Sequence, residues 1–270
     1  MSSFATEGRA LERARPLSFR LRGAARRAAL GGLSVLPRST KPKPGVRIVH
    51  YHYVFDDERE GFERQLGFLA RELRPVSLSD AVERLRLGKV EGDEVVVTFD
   101  DGFRNGLDNA APLLAEHGFS ACFYLVTDLL DASPEEARAF CRERLHLPVA
   151  VEPLDWDGAA QLLKLGHEVG SHTRSHPDLT TLERPALLDE LTSSRELLSQ
   201  RLGSVRHVSA PYGERSRFSE AVADAAREAG YESCATAIRG VNRSALDLYA
   251  LHRDHLSARW PLRELAYFLA

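Results

Sequence analysis

From Val46 onward, short apolar runs alternate with stretches of helical period, and this alternation limits the chain to very few folds. A strand, a helix and a second strand return the backbone parallel to itself, so repeating the unit builds a parallel sheet or barrel. Val46–Tyr51, Glu94–Phe99, Ala121–Val126, Glu168–Ser171, Arg206–Ala210, Glu232–Ala235 and Leu248–His252 read as strands. Helices are expected at Glu60–Leu73, Leu78–Leu87, Leu107–Glu116, Asp157–Leu165, Leu182–Leu202, Ser219–Ala229 and Pro261–Leu269. In the clearest of these, Leu187, Leu191, Leu198 and Leu202 share one face, Thr180 and Glu183 offer a capping box, and Gly203 offers a stop. The pattern lacks a dinucleotide glycine signature and predicts an α/β protein, a (β/α)7-type, TIM-like barrel more than an open sheet, over residues 46–270.

The preceding segment differs in charge. Residues 1–47 carry eleven basic and two acidic residues, a local charge of +9, whereas the whole chain is −3, so the rest is −12. Residues 1–45 therefore read as a basic arm with an amphipathic stretch around Leu17–Leu30, ending in a linker whose Pro42 and Pro44 favour extended backbone. Such an arm is expected to be solvated, or to make peripheral contact with an anionic inner leaflet. The acidic remainder gives no reason to expect a nucleic-acid partner, and no apolar run of 18 residues is present to span a bilayer. Without a recognisable signal segment, the expected location is cytoplasmic, with peripheral attachment at the inner membrane face as an extension. Cys122, Cys141 and Cys234 are too widely spaced for a metal knuckle and read as buried thiols.

Three segments at strand ends carry chemistry. Val95-Val-Val-Thr-Phe-Asp-Asp-Gly102 ends an apolar strand in two adjacent carboxylates and a glycine turn. Close carboxylates repel unless a cation lies between or beside them, which points to a metal with a neighbouring base. Gly170-Ser-His-Thr-Arg-Ser-His-Pro-Asp178 places His172 and His176 four apart, a spacing that lets two imidazoles reach one metal and leaves open positions for water and substrate. Ala210-Pro-Tyr-Gly213 is a turn after the next strand.

In order, these segments resemble the three motifs of the polysaccharide deacetylases, the NodB-homology carbohydrate esterases of family four. The resemblance implies a distorted barrel and a metal-dependent hydrolase that removes N-acetyl groups from an amino sugar in a glycan or glycolipid. It implies Asp101, His172 and His176 as ligands of a divalent cation, most often zinc, with cobalt, nickel or manganese as alternatives. Asp100 would be the general base, and the Tyr212 N–H part of an oxyanion hole. Two departures stand out. Ser209 occupies the position where members carry an arginine that orients the base, and Leu251-His-Arg-Asp-His-Leu256 differs from the usual late histidine pattern. Both resemble a subgroup acting on poly-N-acetylglucosamine, whose early Tyr-His supplies the acid. The chain has Val49-His-Tyr-His-Tyr53 there, which makes His52 the acid candidate, His50 its competitor, and Arg253 the replacement for the missing arginine.

Overall fold

In a computed structural model, residues 4–18, 21, 45–245 and 248–269 are described. A short helix, α1 (Gly8–Ala14), precedes β1 (Gly45–Tyr51). Then come α2 (Arg59–Glu72), β2 (Arg74–Pro75), α3 (Leu78–Leu87) and β3 (Asp93–Phe99). A π turn at Gly106–Ala110 leads into α4 (Ala111–Glu116), β4 (Ala121–Leu125), α5 (Pro134–Glu143), α6 (Trp156–Lys164) and β5 (Glu168–Ser171). The chain continues through α7 (Arg184–Leu202), β6 (His207–Ser209), α8 (Glu220–Glu228), β7 (Ser233–Ala235), β8 (Asp254–His255) and α9 (Leu262–Leu269).

The strands pair in parallel in the order β7-β6-β5-β4-β3-β1-β8, with β2 added beside β3. The curled sheet with its helices is the expected distorted (β/α) barrel. Side-chain alternation separates two cores. Val49, Tyr51, Val95, Val97, Phe99, Phe123 and Leu125 face the surrounding helices, while Val46, Ile48, Val96, Cys122 and Tyr124 face the barrel interior. Leu78, Ala81, Val82 and Leu85 of α3 pack into that interior cluster, so α3 closes the N-terminal end of the barrel. Glu168 fixes it there by accepting from the Leu78 and Ser79 N–H groups at the helix N-terminus, where a carboxylate also meets the positive end of the helix dipole. With that end plugged, the C-terminal mouth is left for chemistry.

The segment 248–255 seals the barrel. Leu251 bridges to Ala235 of β7, and three residues later Asp254–His255 pair with Val49 and His50 of β1. The expected strand at Leu248–His252 is therefore displaced to Asp254–His255. Its apolar half is hydrogen-bonded to β7 through Leu248 and Leu251 around a single bridge, and the polar half, which the hydropathy pattern passes over, makes the ladder with β1. Helix α7 starts at Arg184, and the expected Thr180–Glu183 capping box does not form, because the Thr180 hydroxyl donates to Asp178 at 2.6 Å. Helix α5 lies between Val126 and Asp157, where no element was expected, and a Ser133–Glu136 capping box starts it.

The beginning of the chain also departs from expectation. Composition places residues 4–14 in a solvated arm, yet the Ala5 N–H donates to Ala150 O, and the Asp56 N–H donates to Thr6 O. Leu11 is 2% exposed in a cluster with Phe55, Phe103, Val126, Cys141 and Val151. One leucine buried on a structured flank outweighs the charge of its neighbours, which stay in water. Most of the expected amphipathic stretch at Leu17–Leu30, and the linker before residue 45, lie outside the described residues. Among the described residues, no helix is long and apolar enough to cross a membrane. Replacing Leu11 by alanine is expected to cost about 2–4 kcal/mol of unfolding free energy in urea titration. An unchanged midpoint would show that α1 does not dock.

Candidate functional site

Asp100 and Asp101 follow β3 directly. On a continuing strand they would point to opposite faces, but Asp101 takes φ 72° and Gly102 φ 82°, and this left-handed turn swings both carboxylates to the mouth. Glycine suits the second position, since a Cβ there would sit 3.0 Å from Leu125 Cδ2. Thr173, His176 and Tyr212 are also left-handed, so the backbone conformations that are costly for non-glycine residues gather at this mouth.

His172 Nε2 and His176 Nε2 lie 3.6 Å and 3.5 Å from Asp101 Oδ1. His172 Nδ1 donates to Ser209 O at 2.8 Å, which fixes the tautomer and turns the Nε2 lone pair toward Asp101. The loop between the two histidines is held from behind by α7. Glu190 accepts from the Arg174 and Ser175 N–H groups and from the Ser175 hydroxyl, and the Thr173 hydroxyl accepts from the His176 N–H. Sequence reading missed Glu190. The signal was a charged residue on the buried stripe of Leu187, Leu191 and Leu198.

These three residues fit a divalent cation. Asp101 Oδ1 is buried and makes no hydrogen bond. Burial, with the charge of Asp100 added, pushes the Asp101 carboxyl well above its ordinary range, the response of an anion that lacks a counter-charge. Burial lowers His172 to about 4 and His176 well below its usual value, so both imidazoles keep their lone pairs. One carboxylate and two neutral imidazoles form a donor set of borderline softness with room for further ligands.

Asp100 is held differently. Arg253, fully buried, donates from Nη1 to Oδ1 and from Nη2 to Oδ2, each at 2.7 Å. Its Nη2 also donates to Ser209 Oγ at 2.7 Å, its Nε to Thr236 O at 2.7 Å, and its Nη1 to Thr98 Oγ1 at 3.2 Å. Ser209, where an arginine was expected, thus accepts from an arginine delivered by the sealing segment. Burial alone would raise the Asp100 pKa, but the paired Arg253 guanidinium holds it well below the carboxylate range.

Tyr212 occupies the centre of a tight turn closed by Gly213 N–H donating to Pro211 O. Its ring packs against His176 with centroids 4.9 Å apart, and its hydroxyl donates to Arg144 O. His52 lies just past the end of β1, partly exposed, between the rings of His50 and His255. Desolvation and the Arg253 charge lower its pKa, and Asp100 opposes them. His50 is buried, and the ring of His252 packs against Gly240 instead.

The family model for polysaccharide deacetylase matches residues 88–234 of this chain. A chitooligosaccharide deacetylase of Bradyrhizobium sp. (strain ANU 289) is 31% identical over 134 residues, covering 48% of this chain and 51% of its own. The chain spans about half the length of the curated relatives it matches. Among solved structures, the Streptococcus pyogenes deacetylase PplD in complex with acetate superposes with a TM-score of 0.70 at 19% identity, covering 84% of this chain and 100% of that one. IcaB from Ammonifex degensii gives 0.70 at 20% identity, covering 84% and 98%. At these identities the superpositions establish a shared fold.

Arg253→Met leaves Asp100 buried without its counter-charge, and a loss of about 3–5 kcal/mol is expected in urea titration near neutral pH. A pair that depresses the native carboxyl stabilises fully above the ordinary carboxylate range, about pH 4, and fades as the pH falls toward the depressed value. The deficit of the variant should therefore shrink in acid. A deficit that is constant down to pH 3 would assign the loss to packing.

Proposed function

The chain belongs to the polysaccharide deacetylase family, and from that premise we propose that it is a metal-dependent hydrolase that removes the N-acetyl group from an amino sugar. The sugar would sit in a polysaccharide, an oligosaccharide or a glycoconjugate precursor. The observation that carries this reading is the convergence of Asp101, His172 and His176 beside an arginine-held Asp100 at the open end of the barrel. Residues 46–270 form the catalytic barrel domain in this reading, and residues 1–45 an attached arm.

Asp101, His172 and His176 would hold the cation, zinc first with cobalt, nickel or manganese as alternatives. When bound, it supplies Lewis acidity toward the amide carbonyl and lowers the pKa of a water. Asp100 takes the proton that the attacking water gives up. Both its oxygens already accept from Arg253, but a carboxylate offers about four lone-pair sites, so each oxygen keeps one for the water. Arg253 keeps that carboxylate ionised and fixed in direction. The Tyr212 N–H donates to the carbonyl oxygen as negative charge develops on it. As the C–N bond breaks, the departing nitrogen needs a proton, and His52 gives it, so that acetate and a free amine leave. The lowered basicity of His52 makes its imidazolium a stronger acid than free histidine and leaves that charged form a minority near neutral pH.

Taken alone, a serine at position 209 in place of the base-orienting arginine would favour a catalytically weakened barrel that binds sugar without turnover. Arg253 supplies a guanidinium to Asp100 and accounts for that serine, which supports the catalytic reading. A formyl in place of an acetyl group, or a lipid- or nucleotide-linked sugar, remains a different substrate for the same machinery. Acetate release from N-acetylated oligosaccharides by the metal-loaded protein tests the proposal, and no release from any N-acylated sugar would overturn it.

Asp100→Asn is expected to keep the metal and lose about a thousandfold in turnover, whereas Asp101→Asn should lose both. Equal metal loss in the two variants would reverse the assigned roles. His52→Ala should lower turnover by about a hundredfold or more with metal retained. Near-normal rates there, beside an inactive His50→Ala, would move the acid role to His50.

A further inference from the structure

A second group of ligating side chains stands at the same mouth and shares no residue with the first. His50, His52 and His255 each present a ring nitrogen, and the three nitrogens lie within 4.8 Å of one another. The rings form a nearly equilateral triangle, with centroids 5.6 Å apart for His50 and His52, 5.0 Å for His50 and His255, and 5.3 Å for His52 and His255.

The backbone dictates this triangle. His50 and His52 are two apart along β1 and its continuation, so they project to one side. His255 is the register partner of His50 across the β1–β8 ladder. That ladder is the seam where the barrel seals, and it sets the Cα positions of His50 and His255, with His52 one residue past the end of β1. His50 is 3% exposed, and its Nδ1 is buried without a hydrogen-bond partner.

We propose that His50, His52 and His255 form a second transition-metal site, and that a cation bound there inhibits the deacetylase reaction by occupying the proton donor. Three imidazoles without a carboxylate select borderline ions such as zinc, cobalt, nickel or copper over magnesium or calcium. Metal–nitrogen bonds of about 2.0–2.1 Å in a tetrahedral site bring ligand nitrogens to roughly 3.4 Å of one another. The rings need to close by about an ångström, and the partly exposed His52 and exposed His255 can turn toward the fixed His50. Burial, with the charge of Arg253 added, pushes His50 well below its ordinary value, and desolvation lowers His52, so neutral lone pairs are available near pH 7. Once its lone pair is engaged, His52 can no longer carry a proton to the leaving amine. This consequence rests on the reading of His52 as the acid, whereas the site itself does not.

The test begins with the full chain stripped of metal by chelator and dialysed against cobalt(II) alone. The wild type is expected to bind two ions, His255→Ala one, and His176→Ala one. His255→Gln repeats the measurement with a polar side chain kept on the strand. A single ion in the wild type, or two ions in both His255 variants, overturns the site. Stoichiometry needs no substrate, so it stands apart from the deacetylase reading. Acetate release is then followed as zinc(II) rises past one equivalent. The wild-type rate should fall by about a hundredfold as the second ion binds, while the His255→Ala rate holds steady. Binding of the second ion without loss of rate overturns the inhibition and removes His52 as donor.

Discussion

A guanidinium enclosed on all sides, as Arg253 is, must have its charge matched and its donors engaged, because an unpaired buried charge would cost several kcal/mol. Asp100 supplies the charge, and Thr98, Ser209 and Thr236 take further donors, so one side chain fastens the ends of β3, β6 and β7 to the sealing segment. The Tyr124 ring lies beneath it, with the guanidinium carbon 5.4 Å from the ring centroid. Everything else at the mouth takes its place relative to this point. Asp101 is the next residue after Asp100, and His172 is oriented by the carbonyl of the same Ser209 that receives Arg253.

The backbone around that point is strained where the ligands need aiming and braced where they need holding. Asp101, Thr173, His176 and Tyr212 occupy the left-handed region, each at a cost on the order of 1 kcal/mol. Bracing comes from α7, whose Glu190 holds the loop between the two histidines and whose Ser194 meets Ser171 at the end of β5. Stability in the barrel interior is thereby divided. Apolar packing around α3 fills one end, and charge and hydrogen bonding fill the other.

Much of this was legible in the sequence, and the gaps have physical causes. Strands β1, β3, β4 and β5 are read almost to the residue because their alternate positions are buried on both faces. Asp100, Asp101, His172 and His176 are found because they sit at strand ends in a spaced pattern. Helix α1 was missed because a single buried leucine among arginines leaves no periodic trace, and β8 because Asp254 and His255 look like loop. Glu190 and His255 take their places through tertiary position alone. One is buried on a helix stripe and the other becomes a neighbour of His50 only when distant strands pair.

The sealing segment gives the barrel a temporal property. Asp100 waits 153 residues along the chain for the arginine that pairs with it, and the β1–β8 ladder spans a still longer interval. Contacts of such sequence separation form late, since loop closure must precede them. During synthesis the two aspartates and both metal-motif histidines emerge well before the arginine. Until residues 253–255 are made and docked, Asp100 has no guanidinium to pair with. The step that joins the last edge of the barrel to the first is the same step that pairs Asp100, so closure of the fold and completion of the mouth are one event.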